Sequence, residues 1–300
     1  MDRNHYLIIG GSTKCGTTSL FNYFEFHPEV CACSMKESRY FLEAGYKLVA
    51  QKRDHSAIHE FNELFPNSTP GKTHLEATPD YLYSHHALKR IAEELPNAKM
   101  VFILRRPQGR LESWYKYARQ LGLIDEHMSL EGFVTIQQNQ SDPPQHLRSL
   151  EQGRYSTYLE DAYKLLGKDR ILVCFYEDLV RDPEGLCKLV AQFARLDPQY
   201  FSGYEFKVFN KSSESKASFP ARVFRKFKRF IKPLKQRLPK GIRKKLKLAS
   251  HELESMLAGS NTVGKKQNEV NNQTLSFIND YYAAEAGKIK SLTGLTPPWT

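Results

Sequence analysis

Tyr6-Leu7-Ile8-Ile9 runs into Gly10-Gly11-Ser12-Thr13-Lys14-Cys15-Gly16-Thr17-Thr18-Ser19, after which Leu20, Phe21 and Phe24 recur at helical spacing. An apolar run, a glycine-rich loop and a periodic apolar face predict a buried strand, a turn and a helix. Two further runs repeat the plan. Met100-Val101-Phe102-Ile103-Leu104 meets Arg105-Arg106-Pro107, with Pro107 suited to the first position of a helix through about Gln120. Ile171-Leu172-Val173-Cys174-Phe175 precedes Tyr176-Glu177-Asp178-Leu179 and a helix near residues 183–195. Buried runs alternating with helices predict an α/β fold, a parallel sheet flanked by helices on both faces. Ligands of such sheets bind at the carboxyl ends of the strands. All three strand ends here are polar or charged, whereas residues 137–153 and 205–221 read as irregular.

Gly11 to Gly16 has the G-x-x-x-x-G spacing of a phosphate-binding loop, so the sheet is P-loop-like. A nucleoside triphosphatase needs lysine directly after the second glycine, to reach the β and γ phosphates. Thr17 stands there instead, and the loop's lysine is Lys14, placed over the loop mouth. Amides and hydroxyls at a helix N-terminus beneath one lysine suit a single phosphate. The plain alternative is a strand-to-helix turn that binds nothing. At the second strand end, Ser113 lies eight residues beyond Arg105, so a guanidinium and a hydroxyl can converge on a second phosphate. Taken alone, that pair also fits a solvated helix face.

The 300 residues are 40% hydrophobic and 26% charged, which supports a large folded core and excludes global disorder. Five cysteines (Cys15, Cys31, Cys33, Cys174, Cys187) form no CxxC or CxxH pair, so we expect a reducing compartment, no disulfide scaffold and no structural metal. No apolar stretch has membrane-span length and no signal-peptide pattern opens the chain, so a cytoplasmic protein is expected. The net charge is +11, yet residues 222–247 hold thirteen Lys and Arg and no acid, so the rest carries −2. A basic helical segment therefore decorates a nearly neutral body. Its apolar residues Phe224, Phe227 and Ile231 recur at i, i+3 and i+7, which fits either a helix packed on the domain or peripheral contact with an anionic membrane at the inner face.

Together these elements resemble the sulfotransferase family that uses 3′-phosphoadenosine-5′-phosphosulfate (PAPS), in particular its glycan (heparan sulfate-type) and bacterial branch. Thr13-Lys14-Cys15-Gly16-Thr17-Thr18-Ser19-Leu20 is similar to the family's 5′-phosphosulfate loop, and Arg105-x-Pro107-x-x-Arg110-x-x-Ser113-x-Tyr115 to its 3′-phosphate motif. Met35-Lys36-Glu37-Ser38-Arg39-Tyr40-Phe41 resembles a Lys-Glu-x-x-x-Phe segment, Thr78-Pro79-Asp80-Tyr81 the Thr/Ser-Pro-x-Tyr that follows it, and Gly153-Arg154-Tyr155 with Phe175-Tyr176-Glu177-Asp178-Leu179 the later core. Asn210-Lys211-Ser212-Ser213-Glu214-Ser215-Lys216 resembles a loop closing over the 3′-phosphate, with Ser215-Lys216 where the family usually has Pro-Arg.

The resemblance implies cofactor contacts from Lys14, Cys15, Gly16, Thr17, Thr18, Ser19, Arg105, Ser113, Lys211, Ser212 and Lys216, with adenosine 3′,5′-bisphosphate as product and no metal. It implies Lys14 as stabiliser of the leaving oxygen, Glu37 as base and Lys36 as a helper, with His74, Glu76 and Asp80 as alternative bases. The expected acceptor is a hydroxyl or amine of a saccharide or glycolipid. One domain is expected, with a core over about 5–205, a covering loop at 206–221, the basic helical insertion at 222–250, and a C-terminal helix and tail over 262–300. Two rivals remain. An anionic-polymer or nucleic-acid binder would rest on the basic segment, but Phe224, Phe227 and Phe230 are its only aromatics, so no nucleic acid is expected. A degenerate P-loop kinase would need lysine at position 17.

Overall fold

The computed structural model describes residues 5–46, 58–141, 143–207 and 272–300. All of them belong to one unit, Met1–Asn210 with Val270–Thr300, while the second unit, Lys211–Glu269, lies outside the described residues. The expected insertion at 222–250 therefore lies outside them as well, as do Lys211, Ser212 and Lys216.

Five parallel strands form one sheet in the order β2-β3-β1-β4-β5: β1 is His5–Gly11, β2 Val30–Ala32, β3 Thr73–Ala77, β4 Ala98–Leu104 and β5 Ile171–Phe175. β1, β4 and β5 are the three apolar runs, buried almost throughout. Their side chains alternate between two cores. Tyr6, Ile8, Met100, Phe102, Leu104 and Val173 pack on one face with Leu88 and Ile91 of α3 (His85–Glu94) and Leu159 and Ala162 of α6 (Tyr155–Leu166). Leu7, Ile9, Val101, Ile103 and Cys174 pack on the other with Leu20, Phe21 and Phe24 of α1 (Thr17–Phe24) and Val190 of α8 (Pro183–Phe193). Burying one such Leu or Ile contributes roughly 2 kcal/mol of transfer free energy, so the alternation fixes which face each helix covers.

The remaining helices are α2 (Ile58–Glu63), α4 (Pro107–Gln120), α5 (Leu130–Asn139), α7 (Tyr176–Arg181), α9 (Asn272–Tyr282) and α10 (Glu285–Thr293). A third core joins Leu111 and Trp114 of α4, Phe133 of α5, and Ile278 and Tyr282 of α9. Pro107 opens α4 as expected, and 3-10 turns at Gln145–Leu147 and Glu151–Gly153 punctuate the stretch read as irregular, whose first residues instead complete α5. No described helix is long and apolar enough to cross a membrane.

The strand order positions the site. β1 connects toward β2 on one side of the sheet, whereas β4 and β5 lie on the other, so the loops after β1 and β4 diverge around a crevice. The glycine-rich loop leaves β1 on one flank and Arg105 follows β4 on the other.

Candidate active site

At the start of α1, Gly16 is the N-cap in a left-handed conformation with φ 86°, and a Cβ there would lie 2.9 Å from Leu179 Cδ2. Glycine is thus required both by dihedral and by space. The helix has no side-chain cap and no acidic residue in its first turn, so its N-terminal amides and dipole face the loop mouth without a built-in anion. Thr17 and Ser19 are buried and Thr18 half-buried. Cys15 also turns inward: its Sγ lies 3.8 Å from the Tyr155 hydroxyl, and burial pushes the thiol pKa up.

Lys14 has φ 69°, a strained value for a non-glycine residue, and its Nζ sits 4.0 Å from the Tyr117 ring centroid. Burial, then the nearby Arg105 guanidinium, lowers its ammonium to about 8. Arg105 donates from a terminal nitrogen to the Lys14 carbonyl at 3.4 Å, and its guanidinium carbon lies 4.6 Å from the Tyr176 ring centroid. Gly109 makes room for it, since a Cβ there would be 3.3 Å from Arg105 Nε. Residues four apart share a helix face. Gly109, Ser113 and Tyr117 therefore form a row on α4, with Arg105 against its first member and Lys14 over its last.

Glu37 reaches this crevice through β3. The Cys33 amide donates to the Leu75 carbonyl at 2.8 Å, the Glu37 amide to the Ala77 carbonyl at 2.8 Å, and the Arg39 amide to Thr78 Oγ1 at 3.1 Å, which seats the segment across the strand's end. Glu37 and Arg39 both have positive φ, 60° and 57°. Burial pushes the Glu37 carboxyl up, but Lys36, whose Nζ donates at 2.8 Å, together with Arg39 and Lys14, outweighs it and holds the pKa below its usual value. Arg39 lies 3.6 Å from the other Glu37 oxygen. Asp80 is buried beside them, accepting from the Thr13 and Tyr46 hydroxyls at 3.3 Å each, and burial followed by repulsion from Glu37 raises it to about 6.

The structure thus brings together Lys14, Lys36, Glu37 and Arg105 around the strand ends, with Asp80 adjoining and Ser113 one turn along α4 from the Gly109 that Arg105 packs on. The two other alternative bases are enclosed. His74 bonds to Ser68 Oγ at 2.6 Å and stacks on Phe65, and Glu76 accepts from the Ser38 and Thr78 hydroxyls at 2.9 and 2.6 Å. Arg39, Tyr117 and Tyr176 were not singled out in the sequence as site residues. Positive φ at Arg39 leaves no trace in composition, and the aromatic contacts depend on how α4 and α7 pack.

A sequence profile described as the sulfotransferase domain matches residues 4–290. The chain belongs to the sulfotransferase domain family. Over 205 residues this sulfotransferase-family chain is 28% identical to the bifunctional heparan sulfate N-deacetylase/N-sulfotransferase 1 of Xenopus tropicalis, covering 64% of this chain and 22% of that protein. The Homo sapiens protein of the same description also matches at 28% identity over 205 residues, with 64% of this chain and 22% of that protein covered. The chain therefore spans about a fifth of the length of the curated relatives it matches. A sulfotransferase from Alicyclobacillus acidocaldarius superposes with a TM-score of 0.57 at 18% identity, over 83% of this chain and 97% of that one, and so shares the fold.

Proposed function

We propose that the protein transfers a sulfuryl group from PAPS to a hydroxyl or amine of a saccharide acceptor. The observation that carries this reading is the convergence of an uncapped helix start beneath Lys14, an Arg105 side chain beside Gly109, one turn before Ser113 on α4, and the ionised Glu37 carboxylate. Two cationic positions follow two adjacent strands, Lys14 after β1 and Arg105 after β4, which supports two monophosphate contacts rather than the lysine placement of a polyphosphate loop. The heparan sulfate enzymes among the relatives support a saccharide acceptor.

When bound, PAPS supplies an activated sulfuryl group whose departure leaves negative charge on a phosphate oxygen. The amides opening α1 and the Lys14 ammonium would hold that end and neutralise charge there, since preorganised cations act strongly in a desolvated site. Arg105 and the Ser113 hydroxyl would hold the 3′-phosphate. Glu37 would take the acceptor's proton on a carboxylate oxygen, with Lys36 orienting that carboxylate through its 2.8 Å hydrogen bond. Asp80 stands by as a second carboxylate raised toward neutrality.

Calorimetry in EDTA tests the donor. Adenosine 3′,5′-bisphosphate should bind without Mg²⁺ and in preference to ATP, and Arg105→Ala should weaken it by several-fold to a few hundredfold, the scale of a charge-assisted hydrogen bond. A chelator-sensitive site that prefers ATP would overturn the reading.

A further inference from the structure

Beneath the glycine-rich loop lies a cation that the reaction above does not use. Arg110, on α4, is fully buried. Its guanidinium donates to Ser12 Oγ at 3.3 Å, to the Ser149 carbonyl at 2.8 Å and to Gln152 Oε1 at 2.7 Å. The guanidinium carbon lies 5.5 Å from the Tyr83 ring centroid, and the Tyr83 hydroxyl forms a short hydrogen bond with the same Ser12 oxygen. Tyr155, which also borders Arg110, donates to the Arg105 carbonyl at 2.9 Å. Each of these acceptors is neutral. Among the described residues no carboxylate forms an ion pair with it, and the groups that act on its charge most are tyrosines and the Cys15 thiol.

A buried guanidinium with satisfied N–H groups but no counter-charge remains electrostatically unfavourable, because neutral dipoles solvate the charge only in part. A neutral side chain of similar volume would brace the same elements without that penalty. The placement gives the charge a use. Ser12 belongs to the loop itself, between Gly11 and Lys14, so the guanidinium is one hydrogen bond away from the backbone that faces the crevice. In a dry surrounding, its field reaches across that backbone with little screening.

We propose that Arg110 is the buried cationic pole of the 5′-phosphate subsite: it fixes Ser12 from below and supplies positive potential through the loop to an anion seated above. The inference rests on the donor reading given under Proposed function. It makes Arg110 a positioning residue and a long-range counter-charge, separate from Lys14, which meets the same anion from the crevice side.

The test compares adenosine 3′,5′-bisphosphate with adenosine 3′-monophosphate by calorimetry on the full chain. The decisive variant is Gln152→Glu, which keeps the hydrogen bond to Arg110 but cancels its charge. The preference for the bisphosphate should fall by about tenfold to a hundredfold, on the scale of a lost charge-assisted interaction, while the monophosphate binds within about threefold of wild type. Arg110→Met should behave the same way and Arg110→Lys should keep most of the preference. If Arg110→Met does not fold, Gln152→Glu and Arg110→Lys decide alone. An unchanged preference in Gln152→Glu, or equal weakening of both nucleotides, would overturn the proposal and leave Arg110 as a brace. A wild-type protein that does not favour the bisphosphate would instead bring down the donor reading itself.

Discussion

Lys14 is held over Tyr117 in a desolvated position that lowers its ammonium to about 8, so its charge is present at neutral pH but within reach of mild alkali. On the proposed reading, deprotonation would remove the cation that meets the 5′ end of the donor. Affinity for adenosine 3′,5′-bisphosphate should therefore fall as pH rises through about 8, and Lys14→Arg, which keeps its charge, should remove that limb. Titration calorimetry at several pH values measures it; parallel profiles for the two proteins would show that Lys14 is not the group. Glu37 has the opposite logic. Its pKa is depressed by Lys36, Arg39 and Lys14, so it is an ionised acceptor of protons through the neutral range. Glu37→Gln should lower turnover about 10²- to 10⁴-fold with donor affinity nearly unchanged, and Arg39→Gln should move the acid limb of kcat/KM to higher pH by releasing one of the cations that hold it down. Full activity of Glu37→Gln would shift the role of base to Asp80. At this scale the sequence was informative where chemistry is local. Lys14, Gly16, Arg105 and Ser113 sit in short motifs whose spacing carries their meaning, whereas Arg39 and Tyr117 enter the site only through a left-handed backbone and a helix face that spacing does not disclose.

Among the elements, β3 shows why part of the sheet was hidden. β1, β4 and β5 announce themselves as unbroken apolar runs, but Thr73-His74-Leu75-Glu76-Ala77 reads as a mixed stretch, and β2 has three residues. The polar positions of β3 are nonetheless buried, with Glu76 taking hydrogen bonds from the neighbouring Thr78 and from Ser38, so its burial depends in part on a partner distant in sequence. Those same bonds seat the Lys36–Arg39 segment, and the site's carboxylate therefore rests on a strand that periodicity does not reveal. Burial raises the Glu76 carboxyl to about 7, and its second oxygen has no hydrogen-bond partner. Between the ordinary carboxylate value and that point the folded protein holds a proton that the unfolded chain releases. Stability from this group is thus complete below pH 4.5 and is lost as pH rises through about 7. Glu76→Gln abolishes the titration. Urea unfolding at pH 5 and pH 8 should show wild type losing about 2 to 3 kcal/mol more than the variant between the two, somewhat less than the full shift because pH 5 already lies above the unfolded value. Equal losses would place the Glu76 proton elsewhere.

For the whole molecule, charge is divided unevenly between a near-neutral body and one cationic stretch. Thirteen of the chain's Lys and Arg residues fall within 222–247, outside the described residues, while the body's own cations at Lys14, Arg105 and Arg110 gather at the sheet's crevice or below it. The two groups have different electrostatic consequences. On the proposed reading the crevice cations would meet a small multivalent anion in a partly desolvated site and should respond weakly to salt, whereas interactions of exposed charges are screened within a Debye length. Of the two sequence expectations for residues 222–247, a helix packed on the domain and docking on an anionic membrane surface, the second would add about 1 kcal/mol per basic side chain. In vesicle sedimentation, the bound fraction should then rise with anionic lipid, fall with salt, and drop sharply when Arg225, Lys226, Lys228 and Arg229 are changed together to glutamine. Bisphosphate affinity should be the same in that variant as in wild type, because the subsite cations are untouched. Equal recovery in the supernatant with anionic and neutral vesicles would rule out the membrane surface, and a parallel loss of nucleotide affinity would show that the basic stretch belongs to the donor site rather than to a separate surface.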